Sequence, residues 1–117
     1  MAFEVIRSTA CDHDLEVILD YLFLAYQDLG TTAADAFDRA ADRVRRIEAA
    51  LVTLGDVPFQ GTLEPAILDG LRHVIKDRAV FYFTADEEVQ TVRVLAVFFG
   101  GQDHRRHLLA RIKAGMV

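Results

Sequence analysis

The sequence is poor in cysteine and has no long apolar run, and these absences exclude several classes of protein. Its 117 residues contain one cysteine, Cys11, which rules out an internal disulfide. The apolar stretches are too short to cross a bilayer, and the N-terminus lacks a basic start followed by an apolar stretch. We therefore expect no membrane helix, no secretory signal and a reducing, cytoplasmic location.

The motifs of nucleotide and metal sites are absent as well. Neither GxGxxG nor GxxxxGK[ST] follows an early strand, and the sequence contains no HExxH. His73, His104 and His107 could together bind zinc, but they lack a cysteine partner. Hydrogen bonding at the start of a helix is the favoured interpretation of His104. We expect neither a metal nor a cofactor.

An excess of basic charge is missing from the chain as a whole but not from its C-terminal part. The formal net charge is -5, which argues against bulk binding to nucleic acid. Residues 1–30 carry six acids and one base, whereas residues 91–117 carry one acid and five bases. Positive charge is therefore a local property of the last strand and helix.

The overall composition is typical of one globular domain over residues 1–117. With 52% hydrophobic residues, 7 Gly and 2 Pro, the chain can bury a single core. A short strand near the N-terminus precedes two amphipathic helices. Ser8 or Thr9 can cap the first helix, and Gly30 can end it. Thr32 can cap the second helix and Gly55 can stop it, which predicts a helical hairpin.

The pattern of apolar runs in the second half of the sequence predicts a β-sheet. Residues 55–70 are interpreted as a loop with at most a short helical turn near Glu64–Leu68. Strand-like runs at 71–76, 79–84 and 91–99 predict an antiparallel meander. The last run is apolar on both faces and should be central. Strict alternation divides it into two faces: Val92, Val94, Ala96 and Phe98, and Arg93, Leu95, Val97 and Phe99.

Polar residues follow that last strand at the point where a final helix should start. Gly100 and Gly101 resemble a phosphate cradle, but a bend that needs glycine is the favoured interpretation. Asp103 is interpreted as the N-cap of the helix rather than a general base. The predicted order is β-α-α-β-β-β-α. This is an α+β fold in which a helical hairpin packs on a small antiparallel-type sheet.

Arginines provide two candidate surfaces. Arg39, Arg43 and Arg46 form a ridge on the second helix, which is either a solvated face with local ion pairs or a contact surface for a partner. Arg78 and Arg93 are assigned to strands, where an arginine either pairs with an acid of the fold or waits for a partner. The predicted surface for a target or partner comprises Arg78, Arg93, Gln102, Asp103, His104 and Arg105.

Three segments carry a resemblance to a known family. They are "VIRSTACDHDLEVILDYL", "LRHVIKDRAVFYF" and "TVRVLAVFFGGQDHRRHL", of which the last is the most specific. In this order along the chain, the sequence resembles the RelE/ParE superfamily of bacterial type II toxins, which includes toxins of plasmid stabilisation systems. The resemblance implies the toxin half of a toxin–antitoxin pair.

The resemblance implies one of two activities. RelE-like toxins cleave mRNA on the ribosome with lysines, arginines and a C-terminal tyrosine, whereas ParE-like toxins inhibit DNA gyrase by binding. Arg78 matches the central-strand arginine of the first group. The other three positions do not match: Leu71 stands at the lysine position with only Lys76 nearby, Gln102 at the second arginine, and Leu108 near the tyrosine. The gyrase-directed branch is therefore favoured.

The resemblance also implies the partners. A cognate antitoxin would lay its C-terminal segment into an apolar groove between hairpin and sheet, or along an edge strand. Sequence-specific DNA contacts would belong to the antitoxin, in a toxin homodimer or a hetero-oligomer of both proteins. Two alternatives remain: a metal-independent ribonuclease that uses Arg78 with His73 or His104, and a non-toxic module that only binds the antitoxin.

Overall fold

The computed structural model describes residues 2–100 and 104–115 and has the predicted α+β architecture. In chain order the elements are β1 (Glu4–Arg7), α1 (Thr9–Asp28), α2 (Ala33–Val52), a 3-10 turn (Thr53–Gly55), β2 (Thr62–Leu63), β3 (Arg72–Lys76), β4 (Ala79–Asp86), β5 (Thr91–Phe99) and α3 (His104–Lys113). Every predicted helix and strand is present, and β2 is additional.

Local capping explains where the helices of the hairpin begin. The Ser8 hydroxyl accepts a hydrogen bond from the backbone N–H of Cys11 at 3.0 Å, and the Thr32 hydroxyl accepts one from Asp35 at 3.3 Å. Gly30 follows α1 with a φ of 92°, a conformation that glycine adopts without strain. The predicted caps Ser8 and Thr32 are confirmed, and α1 packs against α2 as a hairpin.

The predicted antiparallel meander of β3, β4 and β5 is confirmed, and the parallel strand β1 makes the whole sheet mixed. Its five strands lie in the order β1-β5-β4-β3-β2, and β1 pairs with β5 in parallel while the other pairs are antiparallel. The partner of β1 is distant in sequence, so no local pattern specifies it. The strand β2 falls in the segment predicted as a loop, because two exposed residues carry no periodic signal.

A β-bulge in β5 corrects the predicted division of that strand into two faces. Tyr82 pairs with Ala96 and Phe83 with Val94, so Leu95 has no partner on β4. The extra residue reverses the alternation beyond it. Val92, Val94, Val97 and Phe99 consequently face the helical hairpin, whereas Leu95, Ala96 and Phe98 face the opposite side.

Hydrophobic clusters cover both faces of β5, as predicted for a central strand. The larger cluster lies between the sheet and the hairpin and includes Leu15, Ile47 and Phe81. The smaller one lies on the other face, where α3 contributes the fully buried Leu108. Within the described residues no helix combines the length and apolar character that crossing a bilayer requires.

Cys11 belongs to the larger cluster and is fully buried. Burial, together with the nearby Asp14 carboxylate, raises the pKa of its thiol to about 12. We therefore expect the native protein to resist alkylation by iodoacetamide at pH 8, because the reactive thiolate is scarce there. Mass spectrometry should find one added group only after unfolding in urea, and rapid labelling of the native protein would contradict this burial.

Candidate functional site

A groove opens between the helical hairpin and one end of the sheet, where an apolar groove was expected. Its volume is about 570 Å³. Helix α1, helix α2, the β3–β4 turn and the end of β5 form its walls. The residues that line it are Tyr21, Leu22, Ala25, Tyr26, Arg39, Asp42, Arg43, Arg46, Asp77, Arg78 and Phe99. We call it the arginine groove, because basic and aromatic side chains dominate its lining.

Helical periodicity brings three of these arginines to one wall. Arg39, Arg43 and Arg46 are separated by steps of four and three, which places them on the same side of α2. They extend over about 10 Å along the helix axis at 1.5 Å per residue. The ridge predicted from the sequence is thus present, and it borders a concave surface.

Arg43 connects α2 to the β3–β4 turn of the sheet. One guanidinium nitrogen lies 3.1 Å from the Asp77 carboxylate, and another donates to the Asp77 carbonyl at 3.0 Å. The guanidinium also lies over the Phe99 ring, 5.7 Å from its centroid. These contacts hold the β3–β4 turn beside α2, so Arg43 has a structural role.

The other arginines of the groove keep their charge available. Arg39 lies over the ring of Tyr26 at 5.9 Å. Within the described residues, Arg39, Arg46 and Arg78 form no ion pair, and all three are exposed. Of the two aspartates in the lining, Asp77 pairs with Arg43, and the second pairs with an arginine outside the groove. The groove is therefore positively charged in a chain that is negative overall.

Arg78 does not lie in a strand, which corrects its predicted position. Asp77 and Arg78 form the two-residue turn between β3 and β4, with φ angles of 52° and 64°. The turn projects from the sheet, so burial does not force Arg78 to find an acid. Two alternatives were predicted for Arg78: an ion pair with an acid of the fold, or no ion pair. Among the residues that the structure describes, Arg78 forms no ion pair.

Arg93 does lie in a strand, on the sheet face opposite the hairpin. It pairs across the sheet with Thr84 of β4 and Ile6 of β1 and is exposed. It also forms no ion pair among the described residues. It shares a shallow pocket with Thr84, Asp86, Val89 and Thr91, and so lies apart from the arginine groove.

A second group of predicted residues lies on that opposite face. His73 Nδ1 is 2.9 Å from a Glu64 carboxylate oxygen, and the His73 ring contacts the Tyr82 ring at 5.8 Å. His104 stacks on Phe98, with ring centroids 4.9 Å apart. A row of rings, Tyr82 next to Phe98, connects the two histidines. The structure therefore places His73 and His104 on one surface and Arg78 on another.

Burial and neighbouring charges shift the pKa of Tyr82, the tyrosine in this row. Burial is the main reason that the pKa of Tyr82 is raised, and the Glu64 carboxylate raises it further, while Arg105 opposes the shift. Arg105 itself is exposed at the start of α3. The predicted residues Gln102 and Asp103 lie outside the described residues. Gly100 has a φ of 76°, as expected for a bend that needs glycine.

Within residues 2–100 and 104–115 the structure brings together neither a metal site nor the positions that the resemblance implies for RNA cleavage. Among the described residues no group of three His, Cys, Asp or Glu side chains could hold a metal ion. Leu71 and Leu108, at two positions implied for catalysis, are fully buried in the smaller cluster. Lys76 donates to the Thr53 hydroxyl at 3.0 Å.

A buried ion pair between α1 and α3 was missed in the sequence. Two nitrogens of Arg111 donate to the two carboxylate oxygens of Asp14 at 2.7 and 2.8 Å. Asp14 also accepts from the backbone N–H of Val97, and Arg111 donates to the carbonyl of Leu95. The pair therefore satisfies backbone groups at the bulge of β5. Hydrogen bonding to Asp14 is the main reason that the pKa of Arg111 is raised.

Other participants were also missed, although some left a signal. Asp14 lies four residues after Ala10 and four before Ile18, on the buried stripe of α1, where a carboxylate needs a partner. Tyr21 and Tyr26 looked like ordinary helix residues, and only the packing of α1 beside β5 turns them into the groove. For Glu64 no sequence signal pointed to His73, because its segment has no periodic pattern.

Comparisons with known proteins identify the fold. No protein-family model matches the sequence, and no curated protein matches it. Among solved structures, the chromosomal ParDE TA system from P. aeruginosa is similar with a TM-score of 0.65 and 16% identity, over 86% of this chain and 98% of that chain. The toxin–antitoxin complex RelBE2 from Mycobacterium tuberculosis is similar with a TM-score of 0.52 and 16% identity, over 86% of this chain and 100% of that chain. The chain therefore has the fold of the RelE/ParE toxins, which is the fold that the sequence resemblance predicted.

Proposed function

We propose that this protein is the toxin of a type II toxin–antitoxin pair, that it inhibits DNA gyrase by binding, and that a cognate antitoxin neutralises it. The observation that carries the proposal is the fold, which matches chains of two toxin–antitoxin complexes along nearly their whole length. The arginine groove supports it, because exposed arginines without ion pairs beside aromatic rings are typical of a protein–protein contact surface.

The gyrase branch is favoured by what occupies the positions of RNA cleavage. Cleavage without a metal needs a base, a cation and an acid around one phosphate. Here leucines fill two of those positions and point into the core. Arg78, which would supply the cation, lines a different surface from His73. A binding inhibitor needs no such constellation.

Induced expression combined with a supercoiling assay tests this function. We expect growth arrest on induction, and loss of negative supercoiling when purified protein is added in excess to gyrase. Relaxation of the same plasmid by a type I topoisomerase should be unaffected, which controls for non-specific effects on DNA. Growth arrest without any effect on gyrase would remove the gyrase target, and normal growth would remove the toxin assignment in favour of a non-toxic antitoxin-binding module.

A metal-independent, ribosome-dependent ribonuclease is the second candidate, and one observation favours it. The Glu64 carboxylate lies 2.9 Å from His73 Nδ1, the His73 ring contacts Tyr82, and Arg105 is close enough for its charge to act on the Tyr82 phenol. His73 would then be the base and Arg105 the cation. This candidate requires cuts in translated mRNA, detected by primer extension, that disappear in His73→Ala but persist in Arg78→Ala.

The partners follow from the same proposal. The cognate antitoxin would cover the toxin and would make the DNA contacts with which both proteins repress their own promoter. The acidic total charge of this chain fits such a division, because an acidic protein is a poor ligand for DNA. The complex would be a hetero-oligomer of toxin and antitoxin.

A further inference from the structure

We propose that the arginine groove binds a nucleoside diphosphate or triphosphate, with the phosphates on Arg39, Arg46 and Arg78 and the base on the ring of Tyr21. The inference goes beyond the proposed function, and it does not depend on whether the protein is a toxin. The groove has the scale of a small-molecule site, because its volume of about 570 Å³ lies within the usual range of about 300–1,000 Å³.

Unmatched positive charge in the groove favours a ligand with several negative charges. Both aspartates that line the groove already pair with arginines. The guanidiniums of Arg39, Arg46 and Arg78 form no ion pair among the described residues. A terminal phosphate carries a charge of about −1.5 to −2 at neutral pH, and each further phosphate adds to it. A chain of two or three phosphates can therefore neutralise all three guanidiniums, whereas one carboxylate neutralises only one.

The arginines lie on two walls of the groove, which suits a chain of phosphates. Arg39 and Arg46 lie on α2, about 10 Å apart along the helix axis. Arg78 lies on the β3–β4 turn, which the 3.1 Å contact between Arg43 and Asp77 holds beside α2. The planar fork of a guanidinium can bind two phosphate oxygens at once. A phosphate chain in the groove can therefore accept hydrogen bonds from both walls along its length.

An exposed aromatic ring beside the arginines favours a nucleotide over an inorganic polyphosphate. Tyr21 is 55% exposed although it belongs to a packed helix, and its ring centroid lies 6.2 Å from that of Phe99. The ring of Tyr26, in contrast, already lies beneath the Arg39 guanidinium. Tyr21 is therefore the ring that is open to a stacked base. Because every base has a flat face that can stack on an aromatic ring, we expect similar affinity for adenine and guanine nucleotides.

Acidic residues close to the lining in sequence favour a short ligand over a long nucleic acid. Asp20 and Asp28 are exposed on α1, and Asp38 is exposed on α2. The chain as a whole has a net charge of -5. A nucleic acid that continued past the groove would be repelled by this acidic surface, whereas a single nucleotide fits between the two walls.

Binding of the phosphates by arginine predicts the effect of magnesium. A magnesium ion on the phosphates is normally held by protein carboxylates as well, but both aspartates of the groove are engaged with arginines. The ion would also neutralise the charge that attracts the guanidiniums. We therefore expect the affinity for ATP to fall when magnesium is added and to recover when EDTA removes it.

Calorimetric titration of the purified protein with ATP and with ADP, in buffer without magnesium, tests the inference. We expect Arg46→Glu to weaken binding about 10-fold, and Arg46→Glu with Arg78→Glu about 100-fold, because charge-assisted contacts become repulsive. Both side chains are exposed, so the fold should be kept, which circular dichroism and thermal unfolding verify. Lys113→Glu, which reverses one charge on α3 outside the groove, is the matched control for the single variant and should bind normally.

A ligand without a base tests the role of Tyr21 separately. Inorganic tripolyphosphate should bind the wild-type protein about 10-fold more weakly than ATP, because the stacked base is missing. In Tyr21→Ala the affinity for ATP should fall to that for tripolyphosphate, while the affinity for tripolyphosphate itself should stay the same. Equal affinity of the wild-type protein for both ligands would overturn the assignment of a nucleotide.

Other results would overturn the inference as a whole. One is the absence of ATP binding at millimolar concentration, and another is an equal loss of affinity in Lys113→Glu and Arg46→Glu, which would show that only total charge matters. Tighter binding of a single-stranded oligonucleotide than of ATP, lost in the double variant, would assign the groove to nucleic acid. These measurements involve neither growth arrest nor gyrase, so the proposed function stands or fails separately.

Discussion

Asp14→Ala is expected to lower the free energy of unfolding by about 3–5 kcal/mol, because it leaves the Arg111 guanidinium without its carboxylate in a mostly buried site. The Asp14 side chain is 7% exposed and that of Arg111 is 14% exposed. The substitution also leaves the backbone N–H of Val97 without its acceptor. Urea denaturation measures the loss.

Two further variants show whether the loss arises from the ion pair. Asp42→Ala removes a carboxylate from the exposed pair with Arg45 and should cost less than about 1 kcal/mol. Combining Asp14→Leu with Arg111→Met should recover part of the stability, because neither buried charge then remains. A loss for Asp14→Ala no larger than that for Asp42→Ala would contradict a buried, coupled pair.

The same ion pair decides how firmly α3 is attached. Leu108 is the one residue of α3 that is fully buried among the described residues, so its apolar contact is small for a helix. Arg111 adds contacts with Asp14, the carbonyl of Leu95 and the ring of Phe98. His104 and Ile112 of the same helix also pack on the smaller cluster. Hydrogen exchange of the α3 amides should therefore accelerate in Asp14→Ala more than exchange in β4.

Gly55→Ala is the second substitution with a large expected effect. A Cβ at this position would lie 2.2 Å from the carbonyl oxygen of Phe3 and 3.0 Å from a methyl group of Val5. The Phe3 N–H also donates to the Gly55 carbonyl at 2.8 Å, so the start of β1 is tied to this glycine. We expect a loss of about 2–3 kcal/mol, because backbone rather than a flexible side chain must move.

Gly30→Ala is the matched control for Gly55→Ala. Gly30 has a φ of 92°, but no atom would contact the added Cβ. The expected cost is the conformational strain alone, about 1 kcal/mol. Thermal unfolding of both variants separates the two effects. Gly30→Ala introduces backbone strain without a steric clash, and Gly55→Ala introduces a clash without backbone strain. Equal stability of Gly55→Ala and the wild-type protein would show that β1 is not held at this contact.

Much of the fold was predictable because it depends on short-range patterns. Serine and threonine at the helix starts, apolar steps of three and four, and apolar runs of strand length are readable within one or two turns of chain. The bulge at Leu95 was not predictable, because both faces of β5 are apolar and no alternation marks the extra residue. The parallel pairing of β1 with β5 joins segments about ninety residues apart, which local patterns cannot specify.

The candidate site was also only partly predictable from the sequence. The arginine ridge on α2 was visible in the sequence, since its members share one helical face. The sequence could not show that Arg78 lies in a turn beside that ridge, or that Tyr21, Tyr26 and Phe99 complete the groove. Nor could it show that His73 and His104 lie on a different surface from Arg78.

By itself the sequence determined the helices, every strand except β2, the start of the hairpin and the α+β class, because each of these depends on neighbours in the chain. Only the tertiary structure decided which charges are neutralised. Asp14 and Arg111, 97 residues apart, meet in the core, whereas Arg39, Arg46 and Arg78 gather in one groove without forming an ion pair among the described residues. The physical reason is that a charge needs a partner at about 3 Å, and the packing of distant segments sets that distance.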